Sequence, residues 1–222
     1  MIIASDLEGT LTSGATWKAI GRYLCQHGQQ VRYQLFLGTH LLAVPLVKAR
    51  LLDEQTYRDR WLSDLAGLLT GMTEAEFAKI AEWVVEDELW PKRRPALVAE
   101  LDGLRAQGHR VIVSTGAYQP VAEAFSRRIG AVALGTPLAV RDGRLTGHVD
   151  GPTNTGSVKA EGLRRYLAGA ALDTAYGDTC ADLPMLELSQ TPVVVEPEPR
   201  LRAIAVQRGW RIMLDTDHPR AG

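Results

Sequence analysis

Asp6 and Glu8 stand two residues apart where the apolar run MIIAS ends. Two further apolar runs end in oxygen-bearing residues. VIV meets Ser114 and Thr115, and TAYG meets Asp178, with Asp182 four residues on. In an open parallel sheet the carboxyl ends of the strands face one crevice, so these residues can meet despite their distance in sequence. Acids gathered this way repel one another. A hard divalent cation offsets that repulsion, and magnesium takes oxygen ligands, keeps waters and is often completed by phosphate oxygens. Lys159 supplies a second positive charge. Magnesium, a lysine and hydroxyl donors together suit a phosphate dianion.

The elements that must position these groups follow from the pattern of the chain. MIIAS reads as a short buried strand. From residue 16 to about residue 88 the pattern is helical, with little strand signal. TWKAIGRYLCQHG starts near a plausible Thr16 cap and stops at Gly28. DEQTYRDRWLSDLAGLL places Tyr57, Trp61, Leu65 and Leu68 on one face, and Thr73 with Glu76 forms a capping-box pattern. After Pro91 and Pro95, helices and strands alternate, and a hairpin turns at Asp142-Gly143. This alternation predicts an α/β fold with a mostly parallel sheet covered on both faces.

With 222 residues, 45% hydrophobic and 23% charged, the chain has an ordinary globular composition. A net charge of −1 argues against a nucleic-acid surface. Cys25 and Cys180 form no metal spacing, and a reducing, cytoplasmic setting fits them. The histidines at 27, 40, 109, 148 and 218 are scattered, with no zinc motif. The N-terminal run is too short, and too soon interrupted by Asp6, to read as a signal peptide. Residues 33–52 are the most apolar stretch, but Gln34, His40, Pro45, Lys48 and Arg50 break it, whereas a bilayer span needs about 20 nearly uninterrupted apolar residues. A buried helix pair is the plain expectation there; an apolar substrate wall or a membrane-touching surface are the alternatives.

DLEGTLT, VIVSTG, Lys159 and GDTCADLPML resemble, in order and spacing, the four motifs of the haloacid dehalogenase (HAD) superfamily. The helical stretch between the first two motifs resembles the cap of its phosphoserine-phosphatase-like branch. The resemblance implies a Rossmann-like, doubly wound core of residues 1–15 and 91–222, with a helical cap at residues 16–90 inserted after the first strand. It implies that Asp6 attacks phosphorus and forms an aspartyl-phosphate, and that Glu8 is the general acid/base. The commonest pattern has Asp at that second position, so Glu8 is a departure, with one more methylene of reach. Asp6, the backbone carbonyl of Glu8, Asp178 and Asp182 are implied to hold Mg2+, Asp182 acting through water or by orienting Lys159. Ser114, Thr115, Thr10 and Lys159 are implied to bind the phosphate. Gly9 would let the backbone approach the phosphate closely. Thr10 either orients an acid or caps the next turn.

The implied activity is magnesium-dependent hydrolysis of a small organic phosphomonoester. Holding a phosphoserine zwitterion requires an acid and a base in the cap. Arg22, Arg32, Lys48, Arg50, Glu54 and Arg58 are available, but the sequence pairs none of them. Residues 33–52 suggest a more apolar phosphate as the alternative. A carbon–halogen hydrolase on the same scaffold, needing no metal, and a phosphate-capturing regulatory module without turnover are the competing functions. The sequence leaves the oligomeric state open.

Overall fold

A computed structural model describes residues 1–49 and 51–215 of the chain. Arg50 and His218, both named above, lie outside the described residues. Six parallel strands form one sheet: β1 (Ile2–Ser5), β2 (Arg110–Tyr118), β3 (Val132–Thr136), β6 (Leu172–Gly177), β7 (Ser189–Val195) and β8 (Arg211–Met213). Their order is β3-β2-β1-β6-β7-β8. From β1 the chain first adds strands on one side, then crosses to the other. β1 and β6 therefore flank the switch point, where a ligand crevice opens at the strand ends.

Strand alternation divides the core. Ile3, Val111, Val113 and Val193 point into one apolar layer, and Ala4, Ile112, Ala175 and Val194 into the other. The first layer is covered by α5 (Glu74–Val84), α6 (Pro95–Ala106) and α7 (Gln119–Arg128) through residues such as Phe77, Leu97 and Phe125. The second is covered by α8 (Gly156–Leu167), α9 (Leu183–Leu188) and α10 (Pro199–Arg208) through Leu163, Met185 and Leu201. Strands covered on both faces explain the continuous apolar runs in the sequence. The fold is the expected Rossmann-like, doubly wound α/β sheet. β4 (Leu138–Arg141) and β5 (Arg144–Val149) form a separate antiparallel hairpin. Its turn residues Asp142 and Gly143 have φ of 52° and 71°, the left-handed pair that a two-residue hairpin turn requires.

Between β1 and α6 lie α1 (Thr16–Gln26), α2 (Gln30–Leu41), α3 (Val44–Lys48), α4 (Glu54–Gly67) and α5. The Thr73–Glu76 capping box of α5 forms as expected, and Asp53 caps α4 by accepting from the Thr56 N–H. The α1 cap differs from expectation. Ala15, not Thr16, sits at the cap position, and the Thr16 N–H donates to the Glu8 carboxylate. The expected buried helix pair at residues 33–52 is not observed. Tyr33, Phe36 and His40 are buried, whereas Leu35, Leu41, Leu42 and Leu51 are each more than half exposed. The run lacks a single apolar stripe at helical spacing, so its two helices cannot bury all of it at once.

The chain leaves the sheet after β1 and returns ahead of α6 along one seam. Thr12 and Arg93 form an antiparallel bridge, the Ser13 N–H donates to the Lys92 carbonyl at 3.0 Å, and the Arg94 N–H donates to the Leu11 carbonyl at 2.8 Å. A π-helical turn at Val85–Leu89 precedes the return and turns Glu88 inward. There Glu88 accepts from Arg22 at 2.7 Å, from Lys92 at 2.6 Å and from the Ala15 N–H at 3.2 Å. One buried carboxylate thus ties both linkers to α1.

Candidate active site

The ends of β1 and β6 bring Asp6 and Asp178 together. The Asp6 N–H donates to the Tyr176 carbonyl at 3.0 Å, which extends the ladder by one bond and fixes the acid at the strand tip. Asp6, Asp178 and Asp182 are all buried, and each offers a carboxylate oxygen within 4.8 Å of the other two. The Glu8 carboxylate is not in this trio; it lines the same cavity from the N-terminus of α1.

Lys159, in the first turn of α8, donates to Asp6 Oδ1 at 2.7 Å and to Asp182 Oδ1 at 2.6 Å. Burial alone pulls its ammonium group down, but Asp182 and Asp6 outweigh that and hold it above its ordinary value. Asp182 also accepts from the N–H groups of Asp178 and Thr179, both at 3.2 Å. Burial raises Asp182, but Lys159 and these N–H groups bring it below the usual carboxylate range. Asp6 is pushed up to about 6, chiefly by burial, with Lys159 opposing and Asp182 adding to the rise. Glu8 is pushed up to about 7, again chiefly by burial, against the lowering effect of its bond from Thr16. Three buried acids facing one buried lysine leave negative charge in excess. Such a donor set fits a hard divalent cation.

Asp178 is held from the first loop. Thr10 Oγ1 donates to Asp178 Oδ1 at 3.1 Å, so Thr10 orients an acid, one of its expected roles. Gly9 has φ of 94°, and a Cβ there would lie 2.2 Å from Asp178 Oδ2. A side chain at this position would collide with the Asp178 carboxylate, so Gly9 is needed for the first loop to lie against β6.

Ser114 and Thr115 lie inside β2, which continues to Tyr118 before α7 begins. Neither caps that helix. The Thr115 hydroxyl accepts from the Ala117 N–H at 3.2 Å, and the Ser114 hydroxyl accepts from Asn154 Nδ2 at 3.3 Å. Asn154 also donates to the carbonyls of Thr115 and Leu134, at 3.1 and 2.8 Å. Sequence reasoning gave Asn154 no role; its place in the polar run five residues before Lys159 is the only signal it leaves. Arg94 was missed too. It is buried, and it donates to the Gly9 carbonyl at 3.1 Å and pairs with Asp215 at 3.0 Å.

Asp6, Glu8, Arg94, Thr115, Lys159, Asp178 and Asp182 line one pole of a cavity of about 650 Å3, whereas Ser114, Thr10 and Asn154 are buried and are not part of its lining. Its other wall comes from the helices and includes Trp17, Leu41, Val44, Tyr57, Arg58 and Trp61. Beside it, Asp59 of α4 accepts from the hydroxyls of Thr153 and Thr155, which joins α4 to the loop ahead of α8. No helix among the described residues is long and apolar enough to cross a membrane.

Residues 3–187 match the family model described as haloacid dehalogenase-like hydrolase. The chain is 31% identical over 214 residues to the phosphoserine phosphatase SerB1 of Mycobacterium tuberculosis, covering 93% of this chain and 68% of that protein. It is 29% identical to a phosphoserine phosphatase of Halobacterium salinarum, covering 91% and 89%. A protein with unknown function from Bordetella pertussis shares the fold with a TM-score of 0.78 and 24% identity, covering 96% of this chain and 97% of that one. The match to the family model spans most of the sequence, and the chain belongs to the haloacid dehalogenase-like hydrolase family.

Proposed function

We propose that the chain is a magnesium-dependent phosphomonoester hydrolase working through Asp6. The observation that carries this reading is the cluster of Asp6, Asp178 and Asp182 around Lys159 at one end of the cavity. In the first step an Asp6 carboxylate oxygen attacks phosphorus. The bond to the leaving oxygen breaks, and that oxygen takes the proton of the Glu8 carboxyl group. In the second step Glu8 removes a proton from water, whose oxygen attacks the aspartyl-phosphate, releasing inorganic phosphate and restoring the Asp6 carboxylate. A Glu8 carboxyl raised to about 7 suits both transfers near neutral pH. Lys159, Ser114 and the Thr115 N–H hold phosphoryl oxygens. Asp6, Asp178 and the Glu8 carbonyl would hold Mg2+, with Asp182 as its further support. Bound there, the ion supplies positive charge for the phosphoryl oxygens and the crowded carboxylates.

In this reading residues 16–90 act as a cap over a core of residues 1–15 and 91–222. The seam joining the two linkers and the helical wall of the cavity support that division, and α5 anchors it by packing on α7, with Thr73 just ahead of it bridging Arg144 of β5. The named activity of the bacterial and archaeal relatives supports phosphoester chemistry. The test is phosphate release from p-nitrophenyl phosphate. The expected result is turnover with Mg2+, loss with EDTA, and a fall on the order of 10⁴-fold or more in Asp6→Asn, the scale of nucleophile removal in other hydrolases. Turnover that survives both treatments overturns the reading.

A further inference from the structure

The cavity has two chemically distinct walls, and the helical one bears on the leaving group. We infer that it selects phosphomonoesters whose leaving group is an uncharged alkyl or aryl chain rather than a zwitterionic amino acid. This inference rests on the phosphomonoester reading above and adds the substrate class to it.

Trp17 and Trp61 meet edge to face with ring centroids 5.2 Å apart, and Tyr57 meets Trp61 at 6.0 Å. Leu41 and Val44 extend this surface. Among the described residues lining the cavity, the helices contribute no carboxylate. Its four acids, Asp6, Glu8, Asp178 and Asp182, all belong to the strand-end pole or to the first loop. Each already accepts a hydrogen bond there, from Lys159, Thr16 or Thr10. Asp59, the next residue after Arg58, is turned instead to Thr153 and Thr155. An amino-acid ammonium group against this wall would lose water and, among the described lining residues of the helices, meet no anion, which is costly. Trp17 and Tyr57 each meet Trp61 edge to face, so the ring surfaces form one continuous aromatic patch. An apolar chain meets no such cost and gains free energy for each methylene it removes from water. The cavity volume of about 650 Å3 is in the range that holds drug-sized ligands, well beyond a three-carbon leaving group.

The test measures kcat/KM for methyl, butyl and hexyl phosphate, O-phospho-L-serine and phosphocholine with Mg2+. In parallel, calorimetry measures binding of methyl- and hexylphosphonate. The expected result is a rise of about fourfold per methylene, with hexyl phosphate at least a hundredfold above phosphoserine. Leu41 is 56% exposed, so Leu41→Glu is tolerated by the fold. It is expected to cut the hexyl-to-phosphoserine ratio about tenfold, chiefly through KM, with an unchanged melting temperature. Values flat with chain length, phosphoserine or phosphocholine at or above hexyl phosphate, or a ratio unmoved by Leu41→Glu overturn the inference, even with phosphatase activity intact. If no ester is turned over but hexylphosphonate binds far more tightly than methylphosphonate, the wall's preference holds and the hydrolytic reading fails.

Discussion

The two walls of the cavity are built on different principles. At the strand ends Asp6, Asp178 and Asp182 are buried and each is bonded to a named donor, and Lys159 reaches two of them at 2.6 and 2.7 Å. On the helical side the contacts are edge-to-face rings and aliphatic groups, and Leu41 is half exposed. Displacing a charged, buried network costs much, because each freed group is left without water or partner. Trading one apolar side chain for another costs little. The strand-end wall therefore fixes the chemistry, while the helical wall can change what it admits.

Three measurements break or sharpen that contrast. The largest effect is expected from Glu8→Gln assayed on alkyl phosphates, where the leaving oxygen needs a proton. A loss of roughly 10²- to 10⁴-fold in kcat is expected. The wild-type rate should fall as pH rises through about 7, because burial keeps the Glu8 proton on up to that value and its loss removes the acid. p-Nitrophenyl phosphate, whose leaving group needs no proton, should show no such alkaline fall. A shared pH profile for both esters counts against Glu8 as the acid.

Lys159→Ala comes next, read as stability. It strands Asp6 and Asp182 without their common partner, and removing one member of a buried ion pair costs about 3–5 kcal/mol. Urea unfolding at pH 7 checks this. A cost under about 1 kcal/mol would show that the strand-end network is as replaceable as the apolar wall.

The smallest effect is expected at Glu88, where the two regions are tied together. Burial pushes its carboxyl up, but Lys92, Arg22 and the Ala15 N–H outweigh that, so it titrates below its ordinary 4.5. A lowered folded-state value means its contribution is present above 4.5 and is lost as pH falls through the folded value. Glu88→Gln should cost about 1 kcal/mol at pH 7. In unfolding curves the gap from wild type should close as pH falls below 4.5 and through the lowered folded-state value. A gap independent of pH would assign the cost to geometry rather than charge.

Much of the strand-end wall is legible in the sequence, because it rests on local signals. An apolar run that stops at an acid marks a strand tip, and parallel topology then brings Asp6 and Asp178 together. The Thr73–Glu76 box and the Asp142-Gly143 turn are equally local, and both form as their residues dictate. The helical wall is far less legible. Trp17 and Trp61 meet across helices that no spacing rule connects, and residues 33–52 read as buried because their apolar content hides how few of them share one face. Side chains that bond remote backbone, such as Asn154 to Leu134 and Arg94 to Gly9, leave no periodic trace. The α1 cap was misassigned for the same reason. A carboxylate eight residues upstream does the work that a neighbouring Thr16 hydroxyl was expected to do.

The seam at Thr12 and Arg93 has an evolutionary consequence. The excursion between β1 and α6 departs and re-enters at adjacent points, so its two ends are already close in space. Loop closure grows only logarithmically with added residues. Added length is therefore expected to be absorbed between α1 and α4, because residues 71–73 are bonded to β5 and α5 packs on α7.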